Sequence, residues 1–311
     1  WYPGLAKLLR EFRPDIIDLW EEPWGLVSAH ACWLRNRLLP GTRIISETEQ
    51  NVNKRLPPPF EQFRRYVYWH TDFVVCRNTE AQEVVKSKGY SGPMRVVPNA
   101  VDAELFRPMD KADCRQALPG IGRFKFLAGY VGRLVEEKGL LDLVEALAFC
   151  PPEVGFLLVG SGPLRARLEE RARELGKEAQ LVFEPARPLQ ELPGLINALD
   201  VLVLPSRTTA SWKEQFGRVI IEAYACGVPV LGSSSGAIPD VVGAGGLIFP
   251  EGDARALAAA IVALHSDPER RAELGRTGRT LVDQKYTWQH VAGNMMEIYE
   301  RTMGLPRAAS H

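Results

Sequence analysis

No apolar run in this chain reaches about 18 residues, so no segment can span a bilayer as a helix. Net charge is also missing: Lys+Arg 38 stand against Asp+Glu 38, which argues against an extended polyanion such as nucleic acid as the main partner. There is no Cys-x-x-Cys pair. The five cysteines (Cys32, Cys76, Cys114, Cys150 and Cys226) are scattered and odd in number, which argues for a reducing compartment and against a zinc cluster. Each reads as a small core residue. Internal repeats, low-complexity tracts and a signal-peptide pattern are absent too. Nor is there an initiating Met, and Trp1-Tyr2-Pro3 reads as the middle of a longer chain.

What is present is ordinary globular material: 311 residues, 46% hydrophobic and 24% charged, enough for two domains. Short apolar runs at 16–20, 42–46, 73–77 and 94–97 predict strands, with helical periodicity at 26–39, 60–70 and 79–88 between them. The alternation resumes with strands at 125–131, 155–159, 181–184, 201–204 and 230–232. Helices are predicted at 138–149, 163–175, 189–198, 217–226 and 253–265. Strands alternating with helices predict parallel sheets covered on both faces. Residues 98–119 carry prolines and acids without a clean period, and the domain boundary is placed there.

Ligands of open parallel sheets settle beyond the carboxyl ends of the strands. The polar loops stand in those places. Gly132-Arg133-Leu134-Val135-Glu136-Glu137-Lys138-Gly139 follows one strand, Gly160-Ser161-Gly162-Pro163 the next, and Ser233 to Gly236 a later one. A loop with Arg207 and Glu214 precedes the predicted helix at Gly217. Arg133 and Lys138 can neutralise a diphosphate, although each alone reads equally well as a solvated cation. The first N–H groups of a helix favour an anion, and Gly217 leaves room for its approach. Glu222 sits more than a turn inside that helix, interrupting apolar Ile220, Ile221, Ala223 and Ala225. Glu214 and Glu222, at different depths beside one anion site, can grip two parts of one ligand, Glu222 accepting from a ribose diol. Gly160-x-Gly162 is a weaker signal, because G-x-G-x-x-G is not completed.

These residues closely resemble the GT-B glycosyltransferases of family 4, the class called glycosyl transferases group 1. The matching segments are VPNAVDAELFRP (97–108), YVGRLVEEKGLLDLVEAL (130–147), LLVGSGP (157–163) and LDVLVLPSRTTASWKEQFGRVIIEAYACGVPVLGSSSGAIPDVVG (199–243). The resemblance implies an α/β fold of two Rossmann-like parallel-sheet domains facing a cleft. Residues 1–106 would form the acceptor-side domain, lacking its first segment, and 107–286 the nucleotide-sugar domain. Residues 287–311 would form a helix crossing back to the first. The implied activity is retaining, metal-independent transfer of a hexosyl group from a nucleoside diphosphate sugar to a sugar or lipid-linked sugar, without a cofactor. Polysaccharide or glycoconjugate synthesis in the cytoplasm is the implied setting.

By the same resemblance, Arg133 and Lys138 would bind the diphosphate, Glu214 the transferred sugar, Glu222 the ribose, and backbone at Glu184, Pro185 and Ala186 the base. Gly132, Gly160, Gly162, Arg207, Phe216, Gly217, Arg218 and Val219 would complete the donor contacts. Many relatives place a His before Glu-Pro, whereas this chain reads Trp20-Glu21-Glu22-Pro23, and Glu21 stands at the matching place. A carboxylate there can accept from a sugar hydroxyl or act as a base, but it cannot donate as a neutral imidazole does. Its plain reading is an exposed acidic loop.

Two other functions compete: a sugar-nucleotide epimerase of the same architecture, and a non-catalytic nucleotide-sugar-binding module or truncated inactive form. A dehydrogenase lacks its dinucleotide fingerprint. On the acceptor side, residues 60–69 interleave aromatics with cations as a segment resting on a peripheral membrane surface does. A helix packed on the sheet with two solvated arginines, Arg64 and Arg65, is the better reading.

Overall fold

The structure, a computed structural model, describes residues 2–304 and divides into two compact units. The first comprises residues 2–99 together with 289–304, and the second residues 100–288. The observed division lies inside the predicted boundary segment 98–119, ahead of the limit at residue 106 that the resemblance implied. It falls earlier because Val101 and Phe106 are buried in the core of the second unit.

In the first unit, β1 (Ile16–Leu19), β2 (Arg43–Thr48), β3 (Phe73–Cys76) and β4 (Met94–Val96) form a parallel sheet in chain order. Helices Leu26–Leu38, Phe60–His70 and Thr79–Ser87 make the crossovers. In helix Phe60–His70, Arg64 is buried and paired with Glu61, so only Arg65 of the two arginines is solvated. The last helix, Trp288–Gly304, packs on this unit: Tyr299 Oη donates to Asp18 Oδ2 at 2.8 Å, and Arg95 pairs with Glu297 at 2.7 Å. The expected segment 287–311 runs past the described residues.

Under that helix lies a charged cluster at the ends of β1, β2 and β3. Arg77 pairs with Glu47, while Asp18 Oδ1 and Glu47 Oε1 are buried without a hydrogen-bond partner among the described residues. Burial pushes the Glu47 carboxyl up to about 7 against the pull of Arg77, and Asp18 and Glu49 add to the rise. Burial also raises Asp18, against its bonds to Tyr299 and Trp20. A carboxyl raised in the fold holds its proton longer than in the unfolded chain. Its stabilisation is therefore complete below the unfolded value of 4.5 and disappears as pH rises through about 7, a change on the order of 3 kcal/mol. Thermal midpoints are expected to fall over that window in the native chain and to fall less in Glu47→Gln. Equal slopes for the two proteins would refute this account.

The second unit is a six-stranded parallel sheet in the order β10-β9-β8-β5-β6-β7. Its strands are β5 (Phe126–Val131), β6 (Val154–Val159), β7 (Leu181–Glu184), β8 (Val201–Leu204), β9 (Val230–Ser233) and β10 (Gly246–Phe249). The chain runs outward from β5 through β6 to β7, then returns to lay β8 on the other side of β5. The loops after β5 and β8 consequently leave the carboxyl edge side by side where the strand order switches, the usual ligand position in such sheets.

Several elements escaped the pattern reading: strand β10 and helices Leu5–Phe12, Lys111–Gln116, Ile238–Val242 and Pro268–Leu281. Helix Pro268–Leu281 has a packing face of Leu274, Gly275 and Gly278. A Cβ at Gly278 would stand 2.4 Å from Tyr224, so close approach replaces the apolar stripe that periodicity detects. All five cysteines are buried and unpaired.

Candidate functional site

The expected helix 138–149 is broken at its start. Glu136–Lys138 is a 3-10 turn, Gly139 takes a left-handed conformation (φ 65°), and the α-helix runs Leu140–Ala146. Glycine is needed here: an added Cβ would lie 1.9 Å from the carbonyl oxygen of Pro205. The β5 and β8 loops can thus touch backbone to backbone. Arg207 N donates to Glu137 O at 2.9 Å across the same junction.

That junction brings Lys138 to Glu214, 76 residues apart in the chain, with Nζ to Oε2 at 2.6 Å. Ser206 Oγ donates to the same oxygen at 2.9 Å. The Glu214 backbone is held by the β9 loop, Ala237 N donating to its carbonyl at 3.0 Å, and Ser233 Oγ donates to Ser206 O at 2.6 Å. Gly236, at φ 53°, passes so close that a Cβ would meet Glu214 O at 2.2 Å. Three loops therefore fix one carboxylate.

Gly217 (φ 77°) caps helix Arg218–Ala225 without a side chain, leaving the first N–H groups open to an external acceptor. Glu222, one turn further, is held above the ordinary carboxylate range by burial, with Arg218 pulling it down. A desolvated carboxylate is a costly group to keep unless a ligand uses it. On the other flank, Gly160 N donates to Glu184 O at 3.0 Å, and a Cβ at Gly160 or Gly162 would strike the carbonyl of Gly132 or Leu134. The β5, β6 and β7 loops are therefore joined through backbone alone. Pro185 and Ala186 follow, exposed.

Not every expected residue points inward. Arg133 is largely exposed, in a loose 3.6 Å ion pair with Glu137. Arg207 is turned to Asp142, its Nε donating at 2.6 Å, and lines an open cleft with Glu251 and Arg255 instead of joining Lys138 and Glu214. Phe216 is a core side chain, edge-on to Tyr286 at 6.1 Å. Arg218 is exposed and Val219 half-buried beside Gly217. In the first unit Glu21 is exposed. Its neighbour Glu22 is the carboxylate with structural partners, accepting from Thr48 Oγ1 at 2.6 Å and Glu49 N at 2.9 Å.

Sequence reasoning missed Ser206. Its only signal was a small hydroxyl placed directly after strand β8 and Pro205, where it faces the loop that carries Glu214. Among the described residues, no group of three or more His, Cys, Asp or Glu is arranged to hold a metal ion, and no helix is long and apolar enough to cross a membrane.

Residues 120–281 match the family model for glycosyl transferases group 1, and residues 1–105 that for glycosyltransferase family 4. The lipopolysaccharide core biosynthesis mannosyltransferase LpsB of Rhizobium meliloti is 29% identical over 97% of this chain and 88% of its own length. A GDP-mannose-dependent monoacylated alpha-(1-6)-phosphatidylinositol monomannoside mannosyltransferase of Corynebacterium glutamicum is 30% identical over 96% of this chain and 79% of its own. In fold, the chain is similar to HepE of Anabaena, whose crystal structure holds UDP: TM-score 0.85 at 22% identity, covering 96% of this chain and 82% of that one.

Proposed function

Because the chain belongs to the glycosyl transferases group 1 family, we propose that it moves a sugar from a nucleoside diphosphate sugar to a hydroxyl acceptor, with retention at the anomeric carbon, in building a polysaccharide or glycoconjugate. The observation that carries this reading is the Lys138–Glu214 pair, joining the β5 and β8 loops beside the open helix start at Gly217.

Transfer breaks the bond between the anomeric carbon and the diphosphate oxygen while positive charge grows on the sugar ring. Exposed Arg133 offers the diphosphate a second cation on leaving Glu137. Lys138 supplies fixed positive charge for the leaving diphosphate, and the N–H groups of Arg218 and Val219 add oriented dipoles. Those groups need no rearrangement as charge develops, so they stabilise the transition state more than the bound donor. Glu214, once exchanged from Lys138, accepts from the hydroxyls of the transferred sugar. Glu222 accepts from the ribose, and backbone at Glu184 to Ala186 meets the base. The acceptor oxygen bonds to the anomeric carbon, and its proton passes to the departing diphosphate.

Donor identity is tested by calorimetric titration of UDP, GDP and ADP. The relatives named above include one dependent on GDP-mannose and a fold neighbour solved with UDP, so one of these two is the expected ligand. Glu222→Gln separates site from scaffold. Relieving a desolvated carboxylate is expected to raise the thermal midpoint, while the ribose loses a charge-assisted acceptor and nucleotide affinity falls about tenfold. Unchanged affinity in this variant would remove Glu222 from the site.

A further inference from the structure

The Lys138 ammonium has a partner that the mechanism above leaves unused. Its Nζ lies 4.7 Å from the ring centroid of Trp212, within the range at which an indole face attracts a cation. The ring is anchored by its own backbone. Thr209 N donates to Trp212 O at 2.7 Å, and Trp212 N donates back to Thr209 Oγ1 at 3.0 Å, closing a small loop beneath the half-buried side chain. The backbone beside Lys138 is fixed by the close approach of Gly139 to the Pro205 carbonyl. A cation that is only 16% exposed therefore meets two groups of different character, a carboxylate and a π face.

These two partners respond differently to a donor. A diphosphate competes with Glu214 for Lys138, and sugar hydroxyls compete with Lys138 for Glu214, so the ion pair has reason to open on binding. The indole takes part in neither exchange. With the carboxylate released, a four-carbon side chain would otherwise regain its rotamer freedom, at an entropic cost to each phosphate contact. We propose that Trp212 is a positioning residue that holds the Lys138 ammonium at the diphosphate position while Glu214 turns to the transferred sugar. This rests on the donor-site reading above.

The test is calorimetric titration of the full chain with UDP and GDP, following whichever binds more tightly. The proteins compared are the unaltered chain, Trp212→Leu, Trp212→Phe, Lys138→Ala and the Lys138→Ala/Trp212→Leu double variant, with circular dichroism to verify folding. Trp212→Leu is expected to weaken binding about five- to tenfold and Trp212→Phe about two- to threefold, because phenylalanine keeps a weaker π face. In the Lys138→Ala background the leucine substitution is expected to add nothing, since its effect passes through the ammonium. No loss from Trp212→Leu, or an equal loss in both backgrounds, overturns the role of Trp212 and leaves the donor site standing. No nucleotide binding by the unaltered chain, or undiminished binding by Lys138→Ala, overturns the donor site and this inference together.

Discussion

Lys138→Ala is expected to lower kcat/KM for the donor by about 10²–10³-fold, the loss seen when one preorganised group facing developing charge is removed. The substitution also takes the cation of the ion pair from Glu214, 9% exposed at its side chain, and breaking a buried ion pair costs about 3–5 kcal/mol of stability. Folding and catalysis must therefore be separated. Lys138→Ala/Glu214→Gln removes both charges, so its thermal midpoint is expected to recover most of the loss while transfer stays low. Donor turnover by Lys138→Ala within a few-fold of the native rate would sink the assignment of this cation to the leaving group.

The second large effect is structural in origin. Gly139→Ala places a methyl group where the Pro205 carbonyl oxygen lies, 1.9 Å away, at a backbone conformation that L-residues adopt with strain. The left-handed conformation costs about 1–2 kcal/mol and overpacking about 1–3 kcal/mol. The sum, about 2–5 kcal/mol, is expected as a lower denaturation midpoint. Because the clash forces the β5 loop away from the β8 loop, Lys138 and Glu214 move apart, and nucleotide affinity in the surviving folded fraction is expected to fall as well. Glycine at Gly176, whose φ is 64° with nothing within 4 Å of an added Cβ, supplies the control: Gly176→Ala bears the conformational cost alone. Equal destabilisation by the two substitutions would show that contact with Pro205 is not what matters at Gly139.

Much of the architecture was legible in the chain. Strands β5, β6 and β8 are short apolar runs followed by glycine or proline, and burial on both faces leaves no alternation to obscure them. The polar segments after them had to be loops, and parallel strands put those loops on one edge. Elements that the pattern missed bury their contacts in other ways. Helix Pro268–Leu281 uses glycine against Tyr224, and helix Lys111–Gln116 is six residues held to the second unit by Lys111 and Arg115 on Asp200. Neither presents an apolar stripe. Within residues 98–119 the boundary could not be drawn more finely, since Val101 and Phe106 look like linker residues until the core that receives them exists.

Of the site, the chain itself determined which residue types stand at the strand ends: a carboxylate before a helix and another inside it, two cations after β5, and glycines where side chains cannot fit. Such facts are local, set by periodicity and by the conformations glycine alone tolerates. Which of those residues meet was decided only by tertiary structure. Arg207 and Lys138 were both assigned to the donor from the chain alone. The return of β8 beside β5 gave Lys138 to Glu214, and the helix Leu140–Ala146 gave Arg207 to Asp142. Ion pairing depends on distance through space, and the 76 residues between Lys138 and Glu214 carry no trace of it until the strand order closes the gap.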